Sequence, residues 1–379
     1  MYNKKVVITG IGLLSSAGKS LDEHNNLLNS NTPLGLDDKS YAPFSMHQIH
    51  DVNWHEQIAK KTDLRQLSVW QKLGVYAAGK ALDDASIKKN NNILEYTDII
   101  VASGGGERDI AADEAIFKAS LLITDKNKQA ALLNEALQQE LRPTLFLAQL
   151  SNLLAGNIAI IHKTFGRSIT VMGEDAAGAT CVEQAKVMIE TGQSKVVLVG
   201  AAFFSNTIDV LLNFELSNLL EKKMWRPMEN RVSREPSLVL GNGSAFLVLE
   251  EEQHAIKRQA KIYGILKSFA LEMFDRKDIK YKQNLLSFYQ YNGINSTAPV
   301  ITAVTGERKS TAIEMSILSS LELDYKSFSD KIGYMKEAQF LFALAIAALS
   351  LDKNKIIYAS MVGINNSETI ACLKRRCCD

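Results

Sequence analysis

Residues 168–185 read SITVMGEDAAGATCVEQA. Ser168 to Met172 carry a short β-branched run, Gly173-Glu174-Asp175 interrupts it, and small residues with helical spacing follow. A strand that turns sharply into a helix is where many α/β enzymes hold a nucleophile, because the helix N-terminus stabilises negative charge. The turn offers a carboxylate, Asp175. The nearest thiol, Cys181, lies six residues further on, nearly two helical turns from the turn itself. A free Cys on an apolar helix face is usually buried.

Working outward, SKVVLVGAAFF (194–204) is an apolar run fit for a strand buried on both faces. KKVVIT (4–9) and TDIIVAS (97–103) are further strands, each ending in a glycine cluster, GIG and GGGER, that reads as a turn. The segment 141–161 has apolar residues at helical spacing, and 176–192 is a helix closing at Gly192. GSAFLVLE (243–250) and KIYGILKSF (261–269) are strands on either side of a helical EEEQHAIKRQA. A shorter round follows: strand 299–304, helix 309–321, helix 334–351, strand 355–360. This alternation predicts an α/β protein of two similar halves, 1–255 and 256–379, in one compact unit.

Composition narrows the function classes. Hydrophobic residues make up 46% and charged residues 22%, as in ordinary globular proteins. Lys and Arg number 43 against 42 Asp and Glu, so nucleic acid is not expected as the main partner. MYNKKVVITGIG reads as a strand rather than a signal peptide, and no apolar run reaches the ~18–20 residues that span a bilayer. The expected location is the cytoplasm. Cys181, Cys372, Cys377 and Cys378 show neither disulfide nor metal spacing, and no metal or cofactor is expected.

Together these segments resemble the β-ketoacyl-acyl-carrier-protein synthases of the thiolase fold, from end to end. KKVVITGIGLLSSAGKSLDEHNNLL is similar to the family's opening strand and first helix, and RPTLFLAQLSNLLAGNIAIIHKTFGRSITV to the approach to its nucleophile elbow. QSKVVLVGAAF resembles the next core strand. RPMENRVSREPSLVLGNGSAFLVLEEEQHAIKRQAKIYG carries the most specific likeness, to an Arg-Pro-Phe-Asp to Gly-Glu-Gly segment. The resemblance implies two pseudo-repeated α/β halves forming a layered αβαβα core.

It also implies a Cys thiolate and two histidines, and here this sequence departs. The family's elbow reads roughly Thr-Ala-Cys-Ala-Ser-Gly, which places Asp175 of GEDAAG at the Cys. The first histidine, of a His-Gly-Thr motif, falls on Val304, or on Ala303 if the alignment slips by one. The second, of a Gly-His motif, falls on Tyr334 of GYMKEAQ. All six histidines (His24, His47, His50, His55, His162 and His254) precede residue 255. His254 sits in what reads as a solvated helix. The C-terminal Gly-Phe-Gly-Gly turn becomes Gly363-Ile364-Asn365-Asn366. Losing one oxyanion donor alone removes about 2.7–4 kcal/mol of transition-state stabilisation.

Asp175 is expected to act structurally, as a helix N-cap that fills the former oxyanion space, with Glu174 sharing the role. What the resemblance then implies is a noncatalytic subunit like a chain-length factor. Its partners would be an active ketosynthase, in a heterodimer, and an acyl carrier protein. The pathway would be type II polyketide or aryl polyene biosynthesis, and the contact strand Ser168, Ile169, Thr170, Val171 and Met172. Phe203 and Phe204 lie near that expected contact. The alternative is a divergent acyl-thioester enzyme, a decarboxylase or acyltransferase using Asp175. A third reading is a stand-alone acyl-binding homodimer.

Overall fold

The structure is a computed structural model. It describes residues 4–376 except 31, 107, 140–149, 223, 234–235, 295–296, 352–354 and 366. Part of the expected helix 141–161 therefore lies outside the described residues; its end is the helix Leu153–His162.

To a ten-stranded sheet the first half supplies five strands: β1 Val6–Ser15, β2 Asp98–Ala102, β3 Ser168–Val171, β4 Val196–Phe203 and β5 Gly243–Glu251. Their order across the sheet is β3-β2-β4-β5-β1. The second half supplies β6 Gly264–Glu272, β7 Val300–Thr302, β8 Tyr325–Ser327, β9 Ile356–Val362 and β10 Glu368–Lys374, in the order β8-β7-β9-β10-β6. Each half thus places its first strand beside its fifth, with its third at the outer edge. The two first strands meet in a short antiparallel seam, Val7 opposite Ile265 and Ile8 opposite Gly264.

Helices complete the layers. On one outer face lie α1 Val69–Asp84 and α2 Leu153–His162, packed on the first sheet half through Leu73, Leu154, Ile99 and Leu198. Between the halves lie α3 Ala176–Glu190 and α6 Gln339–Ser350, in one core with Val197 and Val199 of β4 and Ile301 of β7. On the other outer face lie α4 Tyr281–Tyr291 and α5 Arg308–Ser320. This is the layered αβαβα thiolase-like architecture. The sequence of α6, QFLFALAIAALS, is apolar all round because helices and strands cover every side of it, and residues 339–348 are buried.

Several boundaries move from their sequence-based positions, for physical reasons. GIG is not a turn: β1 runs through it to Ser15, with every position buried. Gly10 and Gly12 are there because α1 crosses closely; an added Cβ would lie 2.3 Å from the Ala81 carbonyl oxygen and 2.0 Å from that of Ala77. The helix expected from 334 begins only at Gln339, since Tyr334 bridges to Leu240 and 336–338 form a 3₁₀ turn. The strand expected over 261–269 is shifted to Gly264–Glu272. His254 is not on a solvated face; it contacts the fully buried Glu250 and lies 3.0 Å from the Tyr96 hydroxyl.

Candidate functional site: a closed nucleophile elbow

The turn from β3 into α3 places Asp175 at the helix start with no exposed surface. The expected side-chain cap is absent. Asp175 has helical backbone angles (φ −64°, ψ −27°), and its side chain makes no capping bond. The Ala177 N–H is already taken by the carbonyl oxygens of Gly173 at 2.9 Å and Glu174 at 3.2 Å. The carboxylate instead turns to the C-terminal turn. Asp175 Oδ2 accepts the backbone N–H of Ile364 in a short hydrogen bond, and Oδ1 accepts the Ser367 hydroxyl at 3.2 Å.

Of the two expected histidine positions, Tyr334 reaches Asp175, and both hold residues without an imidazole. Tyr334 is buried, its hydroxyl 3.4 Å from Asp175 Oδ2 and its ring edge-on to Phe214 at 6.3 Å. Val304 is buried, and its carbonyl accepts the Ser329 hydroxyl and, at 3.4 Å, the Gln339 side-chain amide. Ala303, the slipped alternative, is equally buried. His162 bonds the Val75 carbonyl at 2.8 Å on the far side of the first sheet half, and burial lowers its pKa to about 4. Cys181 points into the central core, where burial pushes its thiol pKa far up, so it stays a thiol.

Burial likewise raises the Asp175 pKa, against the opposing pull of the Ile364 N–H, the Ser367 hydroxyl and the Arg276 charge. Gly363 permits this packing: a Cβ there would stand 2.5 Å from Asp175 Oδ2 and 2.2 Å from Ser367 Oγ. Arg276 holds the turn from behind, donating to the carbonyls of Ile364 (2.8 Å) and Gly363 and to the buried Glu368 (3.1 Å). Tyr281 donates to the same Glu368 oxygen at 2.7 Å.

Beside this centre is a charged group that the sequence reading did not single out. The Lys336 ammonium lies 3.2 Å from Glu174 and 3.3 Å from the buried Glu337. Lys336 adopts φ +43°, a conformation disfavoured for a non-glycine residue and held by its surroundings. Burial would lower its pKa, but the Glu337 and Glu174 carboxylates raise it. Burial raises Glu337 to about 7, partly offset by the Lys336 charge. Both residues border a cleft of about 870 Å³, whose wall also includes Trp70, Gly104–Gly106, Phe203 and Phe204. The GYMKEAQ match had pointed at Tyr334 alone, although Lys336 and Glu337 stand in the same motif. Arg276 and Ser367 had no local signal, since they reach the site only through strand pairing.

β3 is the outermost strand of its half, paired to β2 on one side only among the described residues. It is half-buried rather than a core strand, and Met172 just beyond it is 65% exposed. No helix among the described residues is long and apolar enough to cross a membrane.

Comparison with known proteins agrees with this architecture. Residues 3–255 match the family model of the beta-ketoacyl synthase N-terminal domain. The chain is similar to a 3-oxoacyl-[acyl-carrier-protein] synthase 2 of Vibrio harveyi, 25% identical over 281 residues, 72% of this chain and 63% of the relative. It is also 26% identical over 299 residues to a 3-oxoacyl-[acyl-carrier-protein] synthase homolog of Saccharomyces cerevisiae, covering 71% and 63%. The chain thus spans less than two thirds of these relatives' length. Among solved structures, the ishigamide ketosynthase/chain length factor superposes with TM-score 0.78 at 16% identity, covering 99% of this chain and all of that one. A type II PKS ketosynthase in complex with its acyl-carrier protein, bound to the hexaketide, gives 0.76 at 19% identity over 99% and 100%. With the family model matching well over half of its residues and the αβαβα layers in place, the chain belongs to the beta-ketoacyl synthase family.

Proposed function

We propose that this chain is a noncatalytic, chain-length-factor-like subunit that pairs with an active β-ketoacyl-acyl-carrier-protein synthase, stabilises it and shapes its acyl tunnel. One observation carries the reading: Asp175, at the position that the resemblance gives to the nucleophile, is a fully buried carboxylate already bonded to the Ile364 N–H and the Ser367 hydroxyl. The would-be oxyanion donor is occupied by the protein itself. A substrate carbonyl has neither nucleophile nor free donor there, and Val304 and Tyr334 supply no imidazole.

The retained elbow has a use as an interface. An edge strand offers unpaired backbone groups to a partner, and Ser168, Ile169, Thr170, Val171 and Met172 form that contact in this reading. Phe165 and Met172 at the strand, Phe117 and Leu121 on the helix Ile110–Leu121, and Leu122 just past its end are large apolar side chains left exposed. Obligate interfaces of this kind bury over about 2,000 Å². The two halves, 1–255 and 256–379, act as one unit, in the cytoplasm, on chains carried by an acyl carrier protein in polyketide or aryl polyene assembly.

The alternative, an acyl-thioester enzyme using Asp175, requires an accessible carboxylate, and Asp175 has no exposed surface. Native mass of the chain alone, and after co-expression with a Cys-containing synthase encoded beside it, tests the proposal. A one-to-one complex is expected. A well-behaved homodimer that ignores the synthase overturns it.

A further inference from the structure

We infer that the end of the molecule remote from the elbow carries a second binding surface, a row of lysines that docks peripherally on the face of an anionic lipid bilayer. The inference stands apart from the subunit reading.

Over the whole chain Lys and Arg balance Asp and Glu, 43 against 42, yet cations gather where several strands begin or end. α3 leaves the elbow and ends at Glu190, about 22 Å away at roughly 1.5 Å per residue. There a Cβ on Gly192 would stand 3.4 Å from the Lys4 side chain. Neighbouring strand ends lie side by side at this level: Val6 opposite Glu251, Val196 opposite Glu250, and Lys374 opposite both Ile265 and Ile356. Lys5 precedes β1, Lys195 precedes β4, Lys257 closes the helix after β5, Lys355 precedes β9 and Lys374 ends β10. Contacts make the row continuous. The N–H groups of Glu251, Glu252 and Arg375 donate to the carbonyls of Lys195, Lys5 and Lys355, each at 2.9 Å. Glu252 lies 3.4 Å from Lys5 and 3.7 Å from Arg376, joining the ends of the two halves.

The carboxylates of the row lie beneath it. The side chains of Glu251 and Glu252 are 14% and 9% exposed, against 64% for Lys5. Lys195, Lys257, Lys355 and Lys374 are exposed, and among the described residues no ion pair holds them. Solvent therefore meets positive charge, which suits an anionic surface. Three features favour a bilayer as that surface. Among the described residues, no large apolar side chain is exposed on 251–269 or 355–376, so a protein partner finds no anchor to bury. Half-buried Tyr263 is covered by the Lys261 ammonium, 4.1 Å from its ring centre, and offers no face for a base to stack on. Arg258 and Arg376, whose forks could grip single phosphates, are held by Glu250 and Glu252. Lysine ammoniums on flexible stems remain, and these meet a headgroup layer without needing a fixed register.

The test is flotation of the full chain, alone and in its one-to-one synthase complex, with phosphatidylcholine vesicles lacking or containing about one third phosphatidylglycerol. Binding is expected only with the anionic lipid, and should be lost at about 1 M salt, where the screening length is about 3 Å. Lys195→Gln, Lys257→Gln, Lys355→Gln and Lys374→Gln should each weaken it roughly fivefold, and together abolish it. Lys126→Gln, Lys128→Gln, Lys277→Gln and Lys280→Gln, made together at exposed positions elsewhere, should leave it unchanged. Thermal unfolding checks that both variants are folded. No binding of the folded chain to anionic vesicles, or equal loss in the two variants, overturns the inference. So does binding of duplex DNA or an acidic carrier protein through the four lysines when vesicles are not bound. Vesicle binding by the lone chain that disappears in the complex overturns it too, since the row is then a protein contact. Failure to form the complex at all counts against the subunit reading and leaves the vesicle result of the lone chain to decide this one.

Discussion

The Asp175 carboxylate and the Ile364 backbone N–H, 189 residues apart in the chain, are joined by a short hydrogen bond. That bond ties the start of α3 to the turn between β9 and β10. The same carboxylate takes the Ser367 hydroxyl, so one buried side chain satisfies donors from the C-terminal turn and remains within 3.4 Å of the Tyr334 hydroxyl.

Asp175→Ala should therefore destabilise the chain by about 1–3 kcal/mol, because the Ile364 N–H loses its acceptor in a buried site. Asp175→Asn keeps an acceptor and removes a desolvated charge, so its stability should stay near that of the parent. Asp175→Cys, paired with an active synthase, should give no condensation at this subunit, since Val304 and Tyr334 remain. Chemical denaturation and a carrier-protein condensation assay check these three expectations.

Gly363→Ala puts a methyl group 2.5 Å from Asp175 Oδ2 and 2.2 Å from Ser367 Oγ. The turn must open to accept it, at a cost of about 1–3 kcal/mol. Arg276→Met leaves Glu368, which has no exposed surface, without its cation. That loss should be larger, roughly 3–5 kcal/mol. Thermal unfolding of both variants orders them.

Glu337 gives a pH dependence with a definite sign. Its pKa is raised from 4.5 to about 7 on folding, chiefly by burial. Between those values the folded chain binds more protons than the unfolded one, so this group's contribution is full below pH 4.5 and is lost as pH rises through 7. Glu337→Gln should flatten that part of the stability profile, by on the order of 3 kcal/mol at most. Denaturation midpoints across this range for parent and variant decide it; parallel profiles contradict the expectation.

Met172→Asp adds charge at an exposed position beside β3. Stability of the lone chain should hardly change, whereas one-to-one assembly with a synthase should be lost. Sedimentation of the mixture, with thermal unfolding of the variant as control, separates these effects. If assembly survives, the contact lies elsewhere.

Much of the fold was legible because its signals are local. The apolar run at β4 and the small-residue helix after Gly173-Glu174-Asp175 declare themselves within a few residues. The Gly-Ile-Gly of β1 misled because glycine signals a turn and a close helix crossing alike, and the partner, α1, is some 70 residues away. At the elbow, the identity of Asp175 was readable but not its rotamer. A preferred N-cap residue forgoes capping here because the carbonyls of Gly173 and Glu174 already take the Ala177 N–H and the C-terminal turn supplies other donors. Lys336 and Glu337 were visible as letters, but their significance comes from burial beside a cleft.

The sheet order also sets a schedule for synthesis. In β1, Val6 pairs with Glu251 and Ser15 with Gly243, strands made at opposite ends of the first half. At roughly 5–20 residues per second, translation takes roughly 12–50 s to deliver β5 after β1 has appeared. Its other neighbour, β6, comes later still. Throughout that interval a ten-residue strand, VVITGIGLLS, buried at every position in the finished molecule, has neither of its sheet partners. An apolar segment left unpaired for that long is exposed to association with its neighbours on the polysome, so the order of strands along the chain makes this segment the one most open to misassembly during synthesis.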